Sequence, residues 1–303
     1  MKIVENRFIY ITISVVVILI GIAAMGFNAI KGNGAFNYDI QFEGGTSIQV
    51  DLGTEASDDE VSGVVKEVTG EAPAQLQSLE GTTKLIKTKS LDMETRNAVQ
   101  QALMDKYGIE QDSFTIQDVS GTISGEMKKN ALLSVVVACI CMLIYVSIRF
   151  KDFNTGASAV IALCHDALIV LGSYAFFRIP LNNNFIAAIL TVLGYSINAT
   201  IVIFDRVREN RKSLGRNNFE ALVDTSVKQT LTRSLFTSLT TFFTVAALYV
   251  LGVDSIKQFA LPICVGVICG TYSSVFIAGN IWYLLSAATL KKKQSKTADK
   301  KKK

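Results

Sequence analysis

Long uncharged apolar blocks alternate with short charged stretches along this chain, and the length of each block decides what it is. Phe8 to Phe27 is a run of 20 uncharged, mostly apolar residues. As a helix at about 1.5 Å per residue it is long enough to cross a hydrocarbon layer. Four further blocks are similar: Ala131–Ile148, Ala157–Phe177, Phe185–Phe204 and Ser234–Leu251. Phe259–Ala288 is longer than one crossing needs, which predicts a tilted helix or one whose end leaves the bilayer. The pattern predicts an α-helical membrane protein with six transmembrane helices. The first block resembles a signal peptide, but it is long and no clear small-x-small cleavage site precedes the polar region. It reads as an uncleaved anchor.

Between the first and second helices the period changes. Asn37–Glu43 and Ser47–Leu52 flank Gly44-Gly45 and predict a hairpin. Ser57-Asp58-Asp59-Glu60 has capping-box spacing ahead of Val61, Val64, Val65 and Val68, a helix ending at Gly70. Strands are predicted near Ala74–Leu79 and Thr83–Lys89, with Glu80-Gly81 as their turn. A second helix follows at Met93–Tyr107, stopped by Gly108, and a last strand at Ser113–Val119. The order ββαββαβ predicts one α+β domain, ferredoxin-like, with helices on one face of a sheet. About one hundred residues suffice for one core. The chain thus divides into residues 1–28, the α+β domain 29–130, a bundle 131–290 and a basic tail 291–303 that is expected to be disordered.

Charge adds direction to this outline. The 303 residues carry a net +4, half are hydrophobic, and mean hydropathy is +0.35. Residues 29–130 hold 9 basic and 17 acidic side chains, whereas the remainder holds 21 basic and 9 acidic. The basic residues sit beside the apolar blocks, so they read as an orientation signal rather than a nucleic-acid surface. One side of the membrane collects Lys2, Arg7, Arg149, Lys151, seven residues from Arg206 to Arg233, and eight Lys from Lys291 to Lys303. The opposite short loops hold only Arg178 and Lys257. Both termini are expected in the cytoplasm and residues 29–130 outside. The lysine tail is a stop-transfer signal attracted to anionic lipid at about 1 kcal/mol per Lys, or a contact for a ribosome or other acidic partner. All five Cys (139, 141, 164, 264, 269) lie in apolar segments, so no disulfide framework supports the outer domain. Cys139 and Cys141 point in different directions on a helix and read as packing residues, not metal ligands.

Candidate chemistry lies where polar groups enter the apolar blocks, because they are costly there. The third helix contains His165-Asp166. Asp166 is about 15 Å from the cytoplasmic end by helical rise. An ionised carboxylate at that depth costs about 3 kcal/mol or more without a partner. Asp166 is either a protonatable relay or a structural hydrogen bond between helices. His165, the chain's one His, either shuttles protons or packs and donates one bond. On the fourth helix Asn198, Ile201, Val202 and Asp205 share one face, extended outward by Tyr195 and Thr191. That face implies burial against other helices or a water-filled path. Asp205, Arg206, Arg208, Glu209 and Asn210 then form a charged corner, read as a salt-bridged helix end. Arg233 opens the fifth helix and either snorkels to the surface or turns inward to a carboxylate. Thr237, Ser238, Thr240 and Thr241 after it are expected to bond between helices. Gly266, Gly270 and Ser274 let the sixth helix approach a neighbour closely. No HExxH, GxSxG or P-loop is present. The chain reads as no enzyme, with no ATP site and no cofactor, so any work it does draws on another source such as an ion gradient.

Four stretches, YDIQFEGGT (Tyr38–Thr46), ALCHDALIVLG (Ala162–Gly172), GYSINATIVIFDRVREN (Gly194–Asn210) and QTLTRSLFTSLTT (Gln229–Thr241), with their order on the helices, resemble the SecF family. That family is the smaller half of the bacterial SecD–SecF protein-export complex, within the resistance–nodulation–division superfamily. The resemblance covers nearly the whole chain. It implies a multi-pass subunit of the bacterial cytoplasmic membrane that pairs its six helices with six of SecD. It also implies work beside the SecYEG channel and the motor SecA, with YajC-like subunits, on unfolded preprotein emerging outside. The drive is the proton or sodium gradient. Asp166, His165, Asn198 and Arg233 are the candidate ion-relay residues; Gly44, Gly45, Asp205, Arg206, Arg208, Glu209 and Asn210 are structural motif positions. The family motif reads Gly-Tyr-Ser-x-Asn-Asp-Thr, whereas Ala199 stands here at the Asp position. The ion is therefore carried by a partner's carboxylate, or by Asp166, or coupling is altered. The competing readings are a structural scaffold of the translocon and a small-molecule or lipid exporter of the same superfamily.

Overall fold

The computed structural model describes residues 2–302 apart from Asn33, Glu80 and Arg216, and without the side chains of residues 254, 255, 293 and 296–302. The chain forms two compact units. One comprises residues 1–37, 133–179 and 184–303; the other comprises residues 38–132 and 180–183.

The first unit is helical. Among the described residues six helices are long and apolar enough to cross a membrane. Five are α1 (Arg7–Ile30), α5 (Gly121–Phe150), α6 (Phe153–Phe176), α7 (Asn183–Leu214) and α8 (Phe219–Leu251). The sixth is compound: α9 (Asp254–Tyr272) passes through a π-helical turn (Ser273–Ala278) into α10 (Gly279–Lys302). Several helices outrun the apolar block that announced them, because the backbone continues helical where hydropathy falls. Thus α5 begins at Gly121, not Ala131, and α7 runs on to Leu214. The sixth span and α6 are the most enclosed, while α1, α5 and α8 expose most of their apolar surface. Glycine sets two close crossings. Gly21 on α1 and Gly172 on α6 face each other so tightly that a Cβ on Gly21 would stand 2.9 Å from the Gly172 Cα. On α9 a Cβ at Gly266 would run into Val192 of α7. At the other end of α7, Trp282 is fully buried against Phe204 and Phe219. Ile3 and Val4 are buried there too, and both their amides donate to Asp224 Oδ1 of α8, at 2.9 and 3.1 Å.

The second unit is a four-stranded antiparallel sheet with two helices sharing its core. Its strands are β2 (Gly45–Asp51), β3 (Gln75–Ser78), β4 (Thr83–Thr88) and β5 (Phe114–Val119), in the order β3-β4-β2-β5. Ile48 lies opposite Ile86 on one side and Ile116 on the other. They join Val50, Val61, Val65, Val99 and Leu103 in one core. The expected capping box is present: Ser57 Oγ accepts from the Glu60 amide and Glu60 from the Ser57 amide at the head of α3 (Asp58–Thr69). Asp92 caps α4 (Met93–Tyr107), and left-handed Gly70 and Gly108 close the two helices.

The predicted hairpin at Gly44-Gly45 does not form. Residues 37–43 make a two-residue strand β1 (Asn37–Tyr38), which pairs with β6 (Pro180–Leu181), and one helical turn, α2 (Ile40–Glu43). The reason is topological: β2 spends one edge on β4 and the other on β5, leaving none for the preceding segment. The glycines serve the approach instead. Gly44 closes the α2 turn at φ +83°, and at Gly45 (φ +138°) a Cβ would collide with the Thr88 carbonyl. Glu80, half of the predicted turn before β4, lies outside the described residues.

Candidate functional site

The enclosed polar centre of the bundle is built around Asp166, which has no exposed surface. It sits in mid-α6, and its carboxylate takes hydrogen bonds from three segments. Ser196 Oγ of α7 donates to Oδ2 at 2.5 Å, and Ser273 Oγ of the π turn donates to the same oxygen at 2.7 Å. Cys269 Sγ of α9 donates to Oδ1 at 3.2 Å, and His165 Nδ1 contacts that oxygen at 2.9 Å. Nδ1 donates in this contact when it carries the ring hydrogen and Asp166 is a carboxylate, which only accepts. His165 Nε2 is buried and has no hydrogen-bond partner among the described residues. A second layer extends the web: Ser274 Oγ bonds Thr200 Oγ1 at 2.9 Å and the Ser196 carbonyl at 3.2 Å.

Four side-chain contacts converge on the two carboxyl oxygens, and hydrogen bonds of this kind offset part of the cost of burying a polar group. Each bond is charge-assisted and about twice as strong as its neutral counterpart, so protonation weakens all of them together. His165, Asp166 and Cys269 bring a nitrogen, an oxygen and a sulfur within 4.8 Å of one another, and these atoms are engaged with each other as described.

Local sequence explains the convergence. Ser196 and Thr200 are four apart on α7, and Cys269 and Ser273 are four apart at the end of α9, so each pair shares a helix face. Gly270 gives Ser196 room: a Cβ there would lie 3.0 Å from the Ser196 Cβ.

The remaining candidates lie elsewhere. Asn198 and Arg233 do not reach Asp166; they line a polar cavity of about 60 Å³ with Tyr195, Ala199 and Thr237. Both are exposed in this chain, so the face of α7 that carries Asn198 is open, whereas Ser196 and Thr200 point inward. Beside that cavity Tyr195 Oη donates to Ser238 Oγ at 3.0 Å, and Thr271 Oγ1 to the same atom at 2.6 Å. Of the α8 hydroxyls expected to bond between helices, Ser238 does so. Thr237, Thr240 and Thr241 instead bond carbonyls of their own helix, because they lie on its exposed face.

At the charged corner Asp205 pairs with Arg149 (3.5 Å) and Arg208 (3.1 Å), and Arg206 with Glu209 (2.6 Å). Asn210 is buried and its Nδ2 donates to Ser226 and Gln229 of α8. Beside it lies a cluster that sequence reading missed: Asp152 Oδ2 accepts from Thr155, Arg211 and Trp282 Nε1. Its members are distant in sequence, and only the Trp–Asp–Arg composition near helix ends hinted at it. Gly44 and Gly45 lie in the second unit, where they shape the start of β2.

The chain is similar to known proteins in sequence and in fold. Residues 99–288 match the family described as "Protein export membrane protein SecD/SecF, C-terminal". A protein translocase subunit SecF of Sebaldella termitidis is 35% identical over 99% of this chain and 96% of its own length. One from Helicobacter pylori is 36% identical over 88% of this chain and 82% of its own. In three dimensions the chain superposes on crystalline SecDF from Thermus thermophilus, a translocon-associated membrane protein, with a TM-score of 0.78 and 31% identity. That alignment covers 93% of this chain and only 38% of the SecDF chain, so this protein spans well under half of that molecule.

Proposed function

We propose that this chain, which belongs to the SecD/SecF family of protein-export membrane proteins, is an accessory subunit of the Sec translocase. It draws on the proton or sodium gradient, together with a six-helix SecD partner, to complete export of preproteins through the SecYEG channel after SecA has driven them into it. The carrying observation is the fully buried Asp166, held by donors from α6, α7, α9 and the π turn. A charge so placed costs several kcal/mol to assemble, and a single change in it alters packing between three spans. The SecD partner covers the open face of α7 and α8, where Arg233 and Asn198 flank the space left by Ala199. A carboxylate of that partner stands beside Arg233 and supplies the ion-binding group that Ala199 does not. Both termini are cytoplasmic, and the sheet order β3-β4-β2-β5 supports a ferredoxin-like domain outside the cytoplasm that handles emerging polypeptide.

The test is export into sealed membrane vesicles that contain the chain and its partner, with the ion gradient intact or collapsed. Asp166→Asn is expected to lose most of the gradient-dependent fraction of export and to keep the ATP-driven fraction. Full gradient dependence in Asp166→Asn would overturn the reading.

A scaffold role is favoured by one observation: Ala199 and the rest of the cavity at Arg233 offer no carboxylate among the lining residues. Under that reading Asp166→Asn leaves the gradient response whole, and loss of the chain lowers export in proportion to lost assembly.

A further inference from the structure

The stripe of small residues on the sixth span changes its spacing at one point. Gly266 meets Val192, Gly270 meets Ser196, and Ser274 bonds the Ser196 carbonyl, at successive intervals of four. The next glycine, Gly279, lies five residues on and faces a different helix: a Cβ there would stand 2.9 Å from Val223 of α8. The extra residue is absorbed by the π turn Ser273–Ala278. Without it, everything after the turn would rotate by about 100°, and Gly279 would leave Val223. A π turn is a rare interruption of an α-helix and is frequent at functional sites. The turn is held by the packing of Val275, Ile277 and Ala278, by the bonds of Ser274 to Thr200 and the Ser196 carbonyl, and by one contact to a carboxyl. Ser273 Oγ is on Asp166 Oδ2, and Ser196 Oγ of α7 is on the same oxygen.

We propose that Ser273, carried inward by the π turn, is a positioning residue that couples the charge of the Asp166 cluster to rotation of α10 against α9. This rests on the reading of Asp166 as the gradient-linked group. With Asp166 charged, Oδ2 anchors the π turn and α7 together. When Asp166 takes up a proton, the proton bonds to one carboxyl oxygen and the charge that held Ser273 is neutralised. The π turn loses its anchor, its surplus residue passes along the helix, and α10 turns. The titratable groups facing Asp166 are His165 on α6 and Cys269 on α9; α7 and the π turn present the hydroxyls of Ser196 and Ser273.

The chain carries its own reporter. Trp282, its one tryptophan, is on α10, fully buried. Its indole nitrogen donates to Asp152 at 3.2 Å, the Arg211 guanidinium lies 5.2 Å from the ring, and Phe219 packs edge-on. Rotation of α10 changes all three contacts. The experiment is Trp282 fluorescence of the full chain in lipid nanodiscs, titrated from alkaline to acid pH. Wild type is expected to show a shift in emission maximum that Asp166→Asn abolishes, which assigns the shift to the cluster rather than to the nearby Asp152. Ser273→Ala is expected to abolish it too, and Ser273→Thr, which keeps the hydroxyl, to restore it. No shift in wild type, or a full shift in Ser273→Ala, overturns the coupling. If Asp166→Asn keeps gradient-dependent export while Ser273→Ala still removes the shift, the functional reading falls and the coupling stands. If Asp166→Asn loses that export while Ser273→Ala keeps the shift, the reverse holds.

Discussion

A charged residue in an apolar block is visible in any sequence, and Asp166 was found that way. Its partners were not, because Ser196, Ser273 and Cys269 are ordinary small residues until the helix faces that bear them are known to meet. The sequence reading placed weight on the Asn198 face of α7, since polar residues repeat there at helical spacing. The same helix buries its Ser196–Thr200 face and leaves Asn198 exposed. Outside the membrane, charge has a simpler consequence. Lys84 Nζ bonds Asp58 at 2.7 Å, and with Ser78 it holds the Asp58 carboxyl below the usual range. A carboxyl lowered on folding contributes stability that is whole above its unfolded value of about 4 and is lost as pH falls through the lowered one. The protection of β3 and β4 amides in the full chain, taken relative to the intrinsic exchange rate at each pH, is therefore expected to fall on acidification below that unfolded value. Lys84→Met is expected to lower it already at neutral pH and to flatten the acid response.

At the scale of elements, local rules succeeded where local contacts decide. The capping box at Ser57 and the stops at Gly70 and Gly108 all depend on residues within one turn. The hairpin failed because strand pairing is a non-local choice: β2 became the central strand, and its edges were claimed by segments some forty and seventy residues on. The π turn was illegible for a related reason. The Gly266, Gly270, Ser274 spacing is regular, and the interval of five to Gly279 acquires meaning only when Val223 is known to face it. Two substitutions measure these contacts. Gly266→Val forces a side chain into Val192 and is expected to cost about 1–3 kcal/mol, as overpacking does, read as a lower unfolding temperature in nanodiscs. Asp224→Ala strips the acceptor from the Ile3 and Val4 amides and is expected to expose the first residues to protease while leaving the α6–α9 contacts intact.

At the scale of the whole molecule, six apolar helices and the family were both legible, since block length and long motifs survive without knowledge of contacts. What the chain works with is read from its surface. Under the proposed function a partner of the same architecture covers the open face at Asn198 and Arg233, and the asymmetry of Lys and Arg predicts that both termini lie in the cytoplasm. A tag after Lys303 is therefore expected to be shielded from protease in right-side-out vesicles, and a cysteine placed at Asp105 in α4 to be labelled from outside. The central claim is that Asp166 changes its protonation inside the bundle. Infrared difference spectroscopy of the full chain in lipid tests this most directly, because a carboxyl group absorbs apart from a carboxylate. Acidification is predicted to raise a buried protonated-carboxyl band in wild type that is missing in Asp166→Asn; an identical difference spectrum from the two proteins would contradict the account.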